Sequence, residues 1–248
     1  TEVDSEGLTP YTQALKLKRE YSAVFLLKRQ ALCASSAQIM LALKLMVQNN
    51  LLHAFSEMLR DKIDYCGSDY LPVPLEDANF MGGNNEKERG IMAFAIKINR
   101  PQIVQVLLEN GHRASLRELL LAFQVTQPSN SVECLGAVLR GSPKGAFRDL
   151  FEHPASFYAF LCTYIHQPDV IKQIYHTGHA DWRARMDIPT YSVGGFPSPS
   201  ATVLHVAAAE NAPATIASLV NVYDELISLA NADGVLPVEE AERRGSSE

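Results

Sequence analysis

Residues 90–113 read GIMAFAIKINRPQIVQVLLENGHR. The pattern predicts a short helix around Ala95, a tight turn, and a second helix over Ile103–Leu108 that stops at Gly111. A unit this short has no core of its own. It can bury its apolar faces only by stacking on units like itself, so the feature predicts a quasi-one-dimensional array whose first property is an extended surface.

The same arrangement recurs. Thr9-Pro10-Tyr11-Thr12 leads into Ala14 and a second helix through Val24-Phe25-Leu26-Leu27, and Asp4-Ser5-Glu6-Gly7 precedes it. Thr202-Val203-Leu204-His205 leads into Ala207, with Ile216 and Leu219-Val220 behind. Asp233-Gly234 and Pro237 lead into Ala241, which is 34 positions after Ala207. Weaker units are read around Ala42 in 39–59, Ala122 in 116–139 and Cys162 in 157–180. Thr9 is placed to cap a helix, and Pro10 at the first helical position gives up no needed N–H. Seven units thus align on Ala14, Ala42, Ala95, Ala122, Cys162, Ala207 and Ala241. Two stretches break the period, near 61–87 and 187–200; both are rich in Pro and Gly and read as inserted loops. Their aromatics Tyr65, Tyr70, Phe80, Tyr191 and Phe196 are candidate interface anchors.

These motifs resemble the ankyrin repeat, whose consensus runs D-x-x-G-x-T-P-L-H-x-A and whose second helix ends in V-x-x-L-L. The resemblance covers most of the chain and is strongest in the first, third, sixth and seventh units. It implies an all-α ankyrin-repeat solenoid, a single domain over 1–248 with two irregular insertions, read as part of a longer protein. The last unit keeps only its first helix and ends in charged residues, as a terminal capping repeat does. His205 matches the consensus histidine, whose ring in the family bonds across neighbouring repeats. The loss of Thr-Pro-Leu-His from several units is similar to ankyrin-bearing effectors of intracellular bacteria.

Composition narrows the function. The 248 residues carry a formal charge of −6, which disfavours a general nucleic-acid binder. Cys33, Cys66, Cys134 and Cys162 form no CxxC pair and read as reduced thiols of a cytoplasmic protein, or of an effector delivered to a host cytosol. No run is long and apolar enough for a membrane span, and the first residues lack the pattern of a signal peptide.

Chemical sites are weakly signalled. Cys162, His166, His176 and His179 could form a zinc site, but Cys162 falls in the alanine slot and the histidines at the end of a second helix, so no metal is expected. Cys66 lies near Asp64 and Asp69, whose charge opposes a reactive thiolate, and neither His53 nor His112 is linked to it. Cys33, Cys134 and Cys162 read as buried. The phosphate-binding and HExxH motifs are missing from the sequence. No catalytic residue and no cofactor is expected.

The resemblance points instead to a concave groove lined by the first helices, with the position two after the signature alanine facing outward. Those positions are Lys16, Lys44, Lys97, Gln124, Tyr164, Ala209 and Arg243. The lysines would form a basic ladder suited to a protein partner with an acidic face, with Tyr164 as an aromatic anchor. The expected function is non-catalytic protein–protein recognition through the groove and the loop edge. The alternative is a substrate-recruiting or regulatory module of a larger enzyme or effector whose catalytic domain lies outside this chain.

Overall fold

The computed structural model describes residues 3–30, 36–65, 90–129, 132–151, 154–180 and 200–244. Among these the protein is all-helical, with no β-strand element. The chain divides into two compact units, Thr1–Ser142 and Pro143–Glu248.

The first unit contains α1 (Pro10–Lys16), α2 (Glu20–Gln30), α3 (Ser36–Asn49), α4 (Leu52–Tyr65), α5 (Ile91–Lys97), α6 (Pro101–Glu109), α7 (Leu116–Ser129) and α8 (Glu133–Gly141). They form antiparallel pairs that pack side by side. First helices meet first helices in α1–α3 and α5–α7, and second helices meet in α2–α4, α4–α6 and α6–α8. The second helices explain why. Ile103, Val104, Leu107 and Leu108 on α6, and Cys134, Leu135, Val138 and Leu139 on α8, place the same apolar stripe on the buried face. At the end of α8, Gly141 permits the close approach to α6, since a Cβ there would stand 2.5 Å from Leu108 Cδ1.

The second unit contains α9 (Arg148–Phe151), α10 (Pro154–Tyr164), α11 (Pro168–His176), α12 (Val203–Ala209), α13 (Pro213–Val220), a 3-10 segment (Asp224–Ser228) and α14 (Pro237–Arg243). Helix α12 packs on both α10 and α14, and α11 packs on α13. Phe151 meets Phe157 and Phe160 edge-on, with centroids 5.8 and 6.0 Å away, so the short helix α9 closes an aromatic core that the sequence reading did not include.

Helices α1, α5, α12 and α14 are each seven residues long, with Ala14, Ala95, Ala207 and Ala241 at the fifth position. The first three alanines are buried. Ala241 is half-buried, since no further helix follows it among the described residues. After α1, α3, α5 and α12 the chain turns through a left-handed residue, at Lys18, Asn50, Asn99 and Asn211. The next N–H reaches back to the carbonyl of Ala14, Met46, Ala95 or Ala207 at 2.8–2.9 Å.

That common turn corrects the second unit. Ala42 is buried, but the residue in the alanine slot is Met46, one helical turn later. The fourth unit also departs from the expected register, because α8 begins eleven residues after Ala122, whereas α6 begins six after Ala95. The inserted loop expected near 61–87 begins later than expected, because α4 continues to Tyr65. The rest of that stretch, with Cys66, Tyr70 and Phe80, and most of 187–200, with Tyr191 and Phe196, lie outside the described residues.

Candidate protein-binding surface

In the first unit the first three pairs are tied to one another at their helix ends, which lines up the residues beside them. Asn49 Nδ2 donates to Leu15 O at 3.0 Å, so α3 caps the end of α1. Arg100 donates from Nε to Val47 O at 3.3 Å and from its guanidinium to Gln48 O at 2.9 Å, so the α5–α6 turn caps α3. Glu20 accepts the N–H of Ala54 at 3.1 Å, capping α4 from the first pair. These bonds satisfy helix-end groups that would otherwise lack partners.

The last residues of α1 and α5 are Lys16 and Lys97, both exposed, and the equivalent residue of α3 is exposed Gln48. Lys44 does not share that register. It lies one turn earlier on the same face of α3 and is half-buried. Gln124 is exposed on α7. Lys16 Nζ contacts Glu6 Oε2 at 2.6 Å, with both side chains exposed. The hydrogen bond and charge of Glu6 hold the Lys16 pKa above its ordinary value. The expected ladder is therefore cationic at Lys16 and Lys97, displaced at Lys44 and neutral at Gln48 and Gln124, and Lys16 is partly balanced from within.

In the second unit the corresponding positions are Tyr164, Ala209 and Arg243. Tyr164 is half-buried and stacks on Phe160 with centroids 4.7 Å apart, and burial raises its phenol pKa. One face of the ring thus covers the aromatic core and part of the remainder meets solvent. Ala209 is half-buried and Arg243 exposed.

The turns that precede the first helices also recur. Asp4 Oδ1 accepts the N–H groups of Glu6 and Leu8, and Asn231 Oδ1 accepts those of Asp233 and Val235, all at 2.9–3.0 Å. Gly7 and Gly234 follow at the same offset, each with φ +75°. Asn231, not Asp233, therefore corresponds to Asp4. The Asn-x-x-Gly spacing of 231–234 is the sequence signal of this turn, because asparagine can take the place of aspartate as the acceptor.

The chemical candidates separate. Cys162 is half-buried where the sequence suggested burial, and it stands one turn after Tyr158 on α10. Burial raises the pKa of both groups. His166 and His176 are exposed, while His179 lies against Phe147 at 5.3 Å. Among the described residues no group of three or more His, Cys, Asp or Glu could hold a metal ion. Cys134 is buried, and its thiol donates to Asn99 Oδ1 at 3.4 Å. Burial pushes its pKa up to about 12, with the Arg100 backbone N–H opposing, which disfavours a nucleophilic thiolate. Among the described residues no helix is long and apolar enough to cross a membrane. No protein-family model matches the chain, and no curated protein matches it closely enough to count as a relative.

Proposed function

We propose that the chain is an ankyrin-type repeat module that recognises another protein without catalysis. The observation that carries this reading is the shared register of α1, α5, α12 and α14. Each is a seven-residue helix with alanine fifth and an outward residue last. A repeated backbone with variable outward residues is a surface built for recognition, because specificity can change without disturbing the buried alanines. Lys16 and Lys97, with Lys44 one turn back, favour a partner with an acidic face, in a cytosolic setting where the cysteines remain reduced.

The test is affinity capture with the whole chain, followed by the triple variant Lys16→Glu, Lys44→Glu, Lys97→Glu. A stable partner that binds the native chain and is lost by the folded variant supports the reading. A partner held equally by both forms removes the basic face from it, and no partner at all removes the recognition role.

A further inference from the structure

Two exposed surfaces in different units complement each other in both polarity and charge. In the first unit, Leu17 at the end of α1, and Tyr21 and Phe25 one turn apart on α2, are 56%, 84% and 58% exposed. The Tyr21 ring lies 6.2 Å from that of His53, itself exposed on α4. Lys18 and Arg19 are exposed between Leu17 and Tyr21. The adjacent carboxylate of Glu20 accepts the Ala54 N–H and offsets one of these two charges, so the cations still outnumber it. This surface is apolar and cationic, in a chain whose formal charge is −6.

The second unit carries the reverse. Val222 and Ile227 flank Asp224 and Glu225, and all four are exposed. The 3-10 segment packs on α14, where Val238 is 54% exposed and Glu242 is exposed one turn later. Arg244 pairs with Glu240 at 3.2 Å, and Arg243 follows Glu242 at the end of the helix, so the exposed carboxylates of Asp224, Glu225 and Glu242 outnumber the one remaining cation.

We infer that these surfaces are the two halves of one heterologous interface, through which the chain associates with a second copy of itself, head to tail. The occupant that the Tyr21–Phe25 face calls for is apolar and acidic, and the Ile227–Val238 region of another copy has that chemistry. Pairing either surface with its own kind would set like charges against each other, which excludes a two-fold arrangement of the same patch. A single heterologous contact leaves one surface of each kind open, so association either closes on itself, as a reciprocal pair or a ring, or continues as an open chain as concentration rises. This inference is independent of the proposed partner recognition.

Sedimentation equilibrium of the full chain across a concentration series tests it. The mean mass is expected to rise with concentration, and to fall when salt is raised from about 0.05 to about 0.5 M, because exposed charges are screened over that range. The variant Tyr21→Ser, Phe25→Ser is expected to remain monomeric. The charge reversals Lys18→Glu, Arg19→Glu and Asp224→Lys, Glu225→Lys should each weaken association by about tenfold or more. An equimolar mixture of the two charge variants should associate again, since each supplies the partner the other lacks. All substituted residues are exposed, and circular dichroism checks that every variant is folded. A monomer at all concentrations overturns the inference, as does self-association that these substitutions leave unchanged or a mixture that fails to recover it.

Discussion

His205 on α12 reaches the following unit through Nε2, which lies 2.9 Å from the backbone oxygen of Val235. Its Nδ1 lies 3.2 Å from the Thr202 N–H and 2.9 Å from the Thr202 hydroxyl. The backbone N–H can only donate, so Nδ1 is the bare nitrogen and Nε2 carries the hydrogen that goes to Val235. One neutral, fully buried ring thereby closes the start of its own helix and pins the next turn. Thr12 holds the same helix position in α1 and closes only the local bond to Thr9, at 2.9 Å.

Replacing His205 by Ala should cost about 2–4 kcal/mol, from a cavity together with buried polar groups left unmatched. Replacement of Thr12 by Ala should cost less, about 1 kcal/mol, because the loss is a helix cap alone. Urea unfolding of both variants measures the difference. Equal losses would mean that the bond to Val235 contributes nothing.

The alanine slot sets a second contrast. Met46 fills it in α3 and Ala95 fills it in α5, and both are fully buried. Met46→Ala should lose about 2–4 kcal/mol to a cavity. Ala95→Met should lose about 1–3 kcal/mol to overpacking, since that interface has closed around a methyl group. Thermal and urea denaturation read both. A neutral Ala95→Met would show that the slot has room.

The left-handed turns separate strain from bonding. Lys18→Gly should stabilise by about 0.5–1 kcal/mol, because a branched Cα at φ 56° is strained and glycine is not. Asn99→Gly relieves less strain at φ 52°, because asparagine tolerates the left-handed region, and it removes the acceptor of the Cys134 thiol, so it should give no net gain. Arg100→Ala should lose about 1–2 kcal/mol, leaving the Val47 and Gln48 carbonyls without that donor. Denaturation midpoints compare the three; a stabilised Asn99→Gly would count against the thiol bond.

Cys134 makes stability depend on alkaline pH. Its folded pKa of about 12 exceeds the ordinary 9.0, so between these values the folded state keeps a proton that the unfolded state releases. Its contribution is complete below pH 9 and is lost as the pH rises toward 12. The folded thiol should also react with a maleimide at pH 8 at least about tenfold more slowly than in urea. Comparing Cys134→Ser with the native chain in both experiments isolates this thiol. Rapid labelling of folded Cys134 would contradict its burial.

Much of the helical register was legible because it is written locally. Thr9-Pro10 and Thr202 announce helix starts, Gly111 and Gly178 announce stops, and alanine stands where the helices pack closely. The reading slipped in α3 because Ala42 and Met46 are one turn apart and both are buried, so the apolar pattern is the same for either choice. The displacement of Lys44 from the candidate ladder follows from that slip.

The sequence alone determined that the described chain would be helical, and where α1, α5, α12 and α14 place their alanines, because capping, periodicity and helix length act within a few residues of each other. Only the tertiary structure decided that Met46 takes the slot, that Arg100 caps α3, and that His205 bonds Val235 thirty positions away. Those outcomes depend on which helix ends come together. A buried donor takes whichever acceptor packing brings within reach, and sequence spacing does not specify that distance.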